Sequence, residues 1–452
     1  MNNEQGKDRP NCITNHEGPQ QKEIDVIGLH QFCSYNDNDT MVILLDAVMD
    51  EDIDGDALSE AVRQAEQRYA NFGCGLGTTG NGLCYIPLAS AARAYEDVPG
   101  KKWLLGTDET AGRLYRVTYA GPRIMVSLHH GLTDGRGAFE YLKTLLYYYL
   151  TALGHSVDPE GKVLLVGEVP ANEDEYPCAK YAKRGDQGRA ANPPAAKLFG
   201  IKEDYLDERG DYLCRRVEVT APVESVVSVA RGAQTTVTSL LVAVINRAIA
   251  QTYHPVDEML LSCVTTDLRP LFGSATLRNF SGIALLAEVP QMRSMPIEAE
   301  AQVLGEQLAA AHNVDAALGR LSGRIPESER LMATPVDKLF GNGDAVMAEK
   351  RGVRSSLANL VTNVGAVELP TGVQKYVRQA AFRIPSFSAT MSMAVCSSGD
   401  TLTINMMQPF ENEALSRALV DILSQLGIAA QRKDWGLEGY DILGRDAVIG
   451  LA

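Results

Sequence analysis

Apolar residues recur along this chain with two periods, and the switches between them mark out its elements. Arg113-Leu-Tyr-Arg-Val-Thr-Tyr119 alternates apolar and polar positions, Ala120-Gly-Pro122 is a turn signal, and Ile124-Met-Val-Ser-Leu128 is a second apolar run, which together predict a β-hairpin. Beyond it Phe139, Leu142, Leu145, Leu146 and Tyr149 recur at helical spacing with no Gly or Pro between Ala138 and Ala152, which predicts a helix. Leu58, Val62, Ala65 and Tyr69 share one face of an earlier helix, and Leu83-Cys-Tyr-Ile86 reads as a strand. Further along, strands over Tyr212 to Val219, Met259 to Thr265 and Ile283 to Val289 alternate with helices over Val223 to Arg231, Thr236 to Tyr253 and Pro296 to Ala317. That βα alternation predicts an α/β class with α+β two-layer sandwiches, sheets covered by helices. The tract Gly319 to Gly352 shows no clear period.

The chain of 452 residues exceeds one ordinary core and predicts two lobes. The expected divisions are a polar, disordered tail over 1–23, a first lobe over 24–169, a crossover linker over 170–211 rich in Pro, Gly, Ala and charge, and a second lobe over 212–452. Apolar residues make up 45% and charged residues 22%, the balance of a soluble globular protein. A net charge of -15 argues against a nucleic-acid groove, which needs Lys and Arg to neutralise phosphates. Lys197, Lys202, Arg215 and Arg216 are the candidates for a local basic patch, with solvated loop charges as the plainer reading. Eight scattered cysteines contain no Cys-x-x-Cys pair and form neither a disulfide framework nor a zinc ribbon. The first residues lack an apolar signal core and no apolar run reaches the ~18 residues of a membrane span, so the expectation is a reduced, cytoplasmic protein.

The candidate chemistry lies in His129-His130-Gly131-Leu132-Thr133-Asp134-Gly135, between the hairpin's second strand and the following helix. A neutral imidazole accepts a proton near pH 7 without being permanently charged, which suits a general base for acyl transfer. Neighbouring strand residues point to opposite faces, so the two histidines are expected to divide the work, with His130 as the base and His129 packing or orienting. Asp134 is a poor third member of a hydrolytic triad, because the chain has no Gly-x-Ser-x-Gly elbow. Pairing with an arginine to pin the loop suits it better. Gly135 would let a bulky ligand pass close to the backbone. Gly75-Leu-Gly-Thr-Thr-Gly80 matches the dinucleotide fingerprint in form, but a helix precedes it and a strand follows, the reverse of what a pyrophosphate site needs, so a flexible glycine loop is expected. Adjacent strand histidines diverge and the other five show no ligand spacing, so no metal site is expected.

These features resemble the superfamily of chloramphenicol acetyltransferase, nonribosomal condensation domains and alcohol acyltransferases. Downstream segments resemble its motifs in order: the helix Leu240 to Ala250, Thr266-Asp-Leu-Arg-Pro270 with a structural arginine, Arg278-Asn-Phe-Ser-Gly282, Thr362-Asn-Val-Gly365, and the late strand pair Phe387 to Asn405. The resemblance runs from about Ile24 to about Leu426 and is closest to standalone bacterial proteins labelled alcohol acetyltransferases. It departs from the plant branch, whose Asp-Phe-Gly-Trp-Gly motif is missing. It implies two similar lobes with a tunnel between them, no bound cofactor, acyl-CoA as co-substrate, and a small-molecule alcohol or amine as acceptor. Arg269 becomes the candidate partner of Asp134. Asn279 and Asn363 are candidate donors to substrate carbonyls, or else turn formers, and Ser386 and Ser388 are candidates to hold an oxyanion. Two rivals stand beside this reading: a free-standing condensation-type enzyme fed by an acyl carrier protein, and a non-catalytic binding protein of the same fold.

Overall fold

The computed structural model describes residues 22–33, 41–79, 82–182, 197–201, 203, 213–336, 357–385, 391–444 and 446–449. Two large sheets organise it. The first has five strands in the order Val377–Arg383, Val42–Met49, Arg123–His129, Tyr115–Ala120, Ala94–Glu96. Its middle is the expected hairpin, with Tyr115 opposite Leu128 and Ala120 opposite Arg123, turning at Gly121 with φ +51°. The helix that follows spans Gly135–Ala152, and its periodic residues Phe139, Leu142, Leu145, Leu146 and Tyr149 are all buried. They share one apolar core with Leu58, Val62 and Ala65 of the helix Gly55–Arg68. Each such side chain removed from water contributes roughly 1.5–3 kcal/mol, which makes this helix a rigid shelf for the loop before it.

The second sheet has seven strands in the order Ser281–Glu288, Leu260–Asp267, Asn359–Ala366, Ser392–Ser398, Thr401–Gln408, Leu213–Pro222, Gln431–Gly439. The helix Val237–Tyr253 lies in its core, and Leu240 to Ile245, Ala248 and Ile249 are all buried, the all-round apolar surface of a helix covered on every side. Thr236 starts it by accepting the Ser239 amide at 3.1 Å.

The two sheets share one strand exchange. Between the parallel neighbours Asn359–Ala366 and Ser392–Ser398 the chain leaves the seven-stranded sheet and runs as Val377–Arg383 antiparallel to Val42–Met49. This brings Arg383 onto the buried Asp46 carboxylate, which Arg216 reaches from the other sheet at 3.4 Å. Asn405 also donates across the seam to the Phe382 carbonyl at 2.9 Å. Burial alone would raise the Asp46 carboxyl, but Arg383, Arg216 and Arg123 hold it below the usual range.

Several expectations are corrected. Arg215 and Arg216 lie on the strand expected over Tyr212 to Val219 and are paired rather than solvated: Arg216 is 1% exposed, with Glu438 at 3.2 Å, and Arg215 pairs with Glu413 at 2.7 Å and with Asp434. Lys197 is exposed and pairs with Glu258 at 2.8 Å, and Lys202 lies outside the described residues. The segment Pro296 to Ala317 is two helices, Ile297–Ala311 and Val314–Gly323, because the Asn313 side chain accepts the Ala316 amide at 2.9 Å and starts a new helix. The tract around Gly75 is the strand Cys74–Thr79 paired with Gly82–Pro87, not a flexible loop, and a Cβ on Gly75 would lie 2.8 Å from the Gly112 carbonyl oxygen. Gly319 to Ala333 is helical across Val314–Gly323 and Ile325–Ala333. Of the expected tail over 1–23, residues 1–21 lie outside the described residues, and Lys22–Glu23 form a short strand opposite Tyr85 and Cys84. Among the described residues no single helix is long and apolar enough to cross a membrane.

Glu300 is fully buried on the helix Ile297–Ala311, with Oε2 accepting from Arg247 at 2.6 Å and Oε1 without a partner among the described residues. Burial and the nearby Glu288 push its carboxyl up to about 7. Because the folded state then holds a proton that the unfolded chain has released, stability falls as pH rises from the ordinary carboxyl range through about 7 and stays low above it. Glu300→Gln should remove that fall. Urea titrations at pH 5 and pH 8 should show the variant gaining on the order of 2 kcal/mol over the wild type at the higher pH.

Candidate active site

The strand Arg123–His129 and the helix Gly135–Ala152 are joined by the short loop His130-Gly-Leu-Thr-Asp134, tied at both ends. The His129 amide donates to the Leu114 carbonyl at 2.8 Å and the His130 amide to the Met41 carbonyl at 2.7 Å. Asp134 caps the helix by accepting the Gly137 amide at 3.1 Å.

The two histidines meet different surroundings. His129 is 0% exposed, and its ring lies flat on Phe32 with centroids 4.6 Å apart and planes 5° apart. Its Nδ1 accepts the Gly131 amide at 3.1 Å, which leaves the proton on Nε2, and that atom has no partner among the described residues. Burial, helped by His130, depresses it to about 3, so it stays neutral across the working pH range and cannot trade protons with solvent.

His130 is half-buried, and its Nδ1 sits 2.9 Å from the Thr133 carbonyl oxygen and 3.0 Å from Asn279 Nδ2. Asn279 Oδ1 accepts from both the amide and the hydroxyl of Ser281, at 3.2 and 2.7 Å, which fixes the amide with its NH₂ towards the histidine. The Thr133 carbonyl oxygen can only accept, which favours the proton on Nδ1 over a bare Nδ1 accepting from Asn279. Asn279 Nδ2 then donates to the His130 carbonyl at 3.3 Å. The consequence is an Nε2 with a free lone pair, the form a general base requires. Asn279 is thus the turn former of its own segment through Ser281 and also reaches His130.

Asp134 turns away from the imidazole. Arg269 Nη2 lies 3.0 Å from Oδ1 and 2.9 Å from Oδ2, and the Phe280 amide donates to Oδ2 at 2.8 Å. The rest of the Arg269 guanidinium is held by the Thr276 and Arg278 carbonyls and by Asp267, at 2.6, 2.9 and 2.9 Å. With every oxygen engaged, the carboxylate is a clamp on the loop and not part of a triad.

The two glycines after Asp134 differ. A Cβ on Gly135 would touch Val364 at 3.0 Å, whereas one on Gly137 would lie 2.0 Å from Thr133 Oγ1 and 2.9 Å from the Leu277 carbonyl oxygen. Thr133 Oγ1 donates to that same carbonyl at 2.5 Å, so Gly137 makes room for the contact that holds Thr133 against His130. The second glycine of Gly135-Arg-Gly137 is the only local signal of this need in the sequence. Asn363 is not brought to the histidine: it donates to Thr238 Oγ1 at 3.0 Å and accepts the Gly365 amide at 2.9 Å, shaping a bulge. Ser386 and Ser388 lie outside the described residues.

Two clefts flank the first turns of the helix and share Arg136 and Glu140. One of about 480 Å³ reaches Arg269, Thr276 and Leu277, and one of about 240 Å³ reaches Lys143, Val364 and Glu368. His130, a half-buried residue, lines neither. Among the described residues no group of three or more His, Cys, Asp or Glu is placed to hold a metal ion.

The clamp makes a sharp stability prediction. Removing one partner of a buried pair strands the other charge, so Asp134→Ala or Arg269→Ala should each cost about 3–5 kcal/mol in chemical unfolding. Gly137→Ala should lower Tm by several degrees, whereas Gly135→Ala should be the milder change, because its only tight neighbour is one methyl of Val364.

The chain matches no protein-family model and no curated protein. Solved structures match it across most of its length. Polyketide synthase associated protein 5 from Mycobacterium tuberculosis has a TM-score of 0.59 at 12% identity, covering 90% of this chain and 97% of that one. TRI101 of F. sporotrichioides, solved with coenzyme A and T-2, has a TM-score of 0.57 at 11% identity, covering 91% and 99%. The epimerization domain from the third module of tyrocidine synthetase B has a TM-score of 0.55 at 13% identity, covering 91% and 98%. The mixed sheets and helices of this chain therefore build the fold shared by chloramphenicol-acetyltransferase-like acyltransferases and condensation-type domains.

Proposed function

We propose that the protein transfers an acyl group from a thioester, acyl-CoA, to the hydroxyl or amine of a small molecule. The observation that carries this reading is the half-buried His130, whose Nδ1 lies 2.9 Å from the Thr133 carbonyl oxygen, a contact that favours the proton on Nδ1 and the lone pair on Nε2. The fold adds support, since TRI101 of this fold was solved with coenzyme A and T-2, and TRI3 is a trichothecene 15-O-acetyltransferase.

In the proposed step His130 Nε2 takes the acceptor's proton as its oxygen or nitrogen attacks the thioester carbonyl carbon. The tetrahedral oxyanion collapses, the carbon–sulfur bond breaks, and the imidazolium returns the proton to the departing thiolate. No covalent enzyme intermediate is required. A positioned base contributes typically 10²- to 10⁴-fold, and the role of His129 is to back the loop in its neutral form.

Thiol release should be followed across acyl-CoAs of increasing length with pooled alcohols and amines. The wild type should release thiol in an acceptor-dependent way, and His130→Ala should lose at least about a hundredfold in kcat. Turnover with a loaded acyl carrier protein alone would move the donor from CoA to a carrier. No turnover with either donor would leave a binding protein of this fold, and full activity in His130→Ala would end the reading.

A further inference from the structure

The backing of the His130 loop is built from a part of the chain that no motif marks. The helix Val26–Cys33 is started by Asp25, whose Oδ1 accepts the amides of Ile27 and Gly28, both at 2.9 Å. Its Phe32 is the ring on which His129 lies, and a Cβ on Gly131 would come within 2.4 Å of that same ring. Its Gly28 approaches the Gly131 carbonyl so closely that a Cβ there would be 2.9 Å from the oxygen. From the strand Gly82–Pro87, the buried Tyr85 donates its hydroxyl to the same oxygen at 2.9 Å, with its ring edge-on to Phe32 at 6.1 Å. The helix is also tied to the front of the site: Asp25 Oδ2 lies 3.8 Å from Arg278 Nη1, and Arg278 precedes Asn279, the residue that touches His130.

We propose that Tyr85 and Phe32 are positioning residues for His130. The peptide after the histidine is gripped by one hydrogen bond and one aromatic plate, while the Thr133 carbonyl accepts from the ring and Asn279 donates to the His130 carbonyl. The imidazole keeps its proton on Nδ1 only while the loop holds the Thr133 carbonyl 2.9 Å away. A loop free to shift by a fraction of an ångström loses that bond and lets the other tautomer form, with the lone pair on the wrong nitrogen. This inference rests on the proposed role of His130 for its effect on turnover, but not for its effect on the ring.

The test therefore reads both. In full-length protein labelled with ¹⁵N-histidine, the His130 ring signals are assigned by their loss in His130→Ala. Wild type should show the Nδ1–H tautomer. Tyr85→Phe removes one hydroxyl, and Phe32→Leu removes the plate while keeping apolar volume. Both should move the His130 nitrogens towards a tautomer mixture, and kcat should fall about tenfold with KM unchanged, the size of one lost hydrogen bond. If Tyr85→Phe and Phe32→Leu, folded by circular dichroism, kept the wild-type ring signals, the proposal would be overturned whatever happened to kcat. If the ring signals moved while even the wild type released no thiol, the positioning would stand and the acyl-transfer reading would fall alone.

Discussion

The buried contact between Asp134 and Arg269 is the constraint on which the site depends. The two residues are 135 positions apart in sequence, one following a strand of the five-stranded sheet and the other following a strand of the seven-stranded sheet. A buried ion pair adds little net stability over a well-packed apolar pair, yet breaking it is costly, so what it supplies is definition of one arrangement. With Asp134 held by Arg269 and the Phe280 amide, the helix start and the Thr133 carbonyl are placed together, and the carboxylate is kept off the imidazole.

From that placement follows the division between two adjacent, chemically identical side chains. His129 enters a dry aromatic pocket, where a charge is unaffordable, and remains neutral. His130 meets a carbonyl on one nitrogen and keeps the other free. Neither outcome is a property of histidine. Each is set by what the neighbouring helix and the next turn bring alongside, and the same loop without the Thr133 carbonyl in place has no preferred tautomer.

Charge shows how far local reading reaches. Arg215-Arg216 after a polar stretch looks in sequence like a solvated pair, because one-dimensional neighbours say nothing about what crosses over. In the fold Arg216 lies under the seam with Asp46, Glu218 and Glu438 around it. The Asn313 break, the strand made from Cys74–Thr79 and the need for glycine at 137 have similar causes: a cap competing with a helix, a partner strand, and a threonine hydroxyl across the turn. Asn279 reads in the sequence as a substrate donor or a turn former and not as a neighbour of His130, since that distance depends on how strand ends 149 residues apart come together.

The sequence by itself determined the elements whose burial is periodic and whose signals are local. These are the hairpin over Tyr115 to His129, the helix from Gly135 to Ala152, the buried helix Val237–Tyr253, and the histidine loop between strand and helix. A stripe of apolar residues needs only its own spacing to specify an amphipathic element, and a turn needs only its own Gly or Pro. Tertiary structure alone decided which nitrogen of His130 is free, where Asp134 points, and that Val377–Arg383 crosses to the other sheet to set Arg383 on Asp46. Those outcomes are contacts between residues far apart in the chain, and a hydrogen bond or ion pair of that kind has no period to betray it.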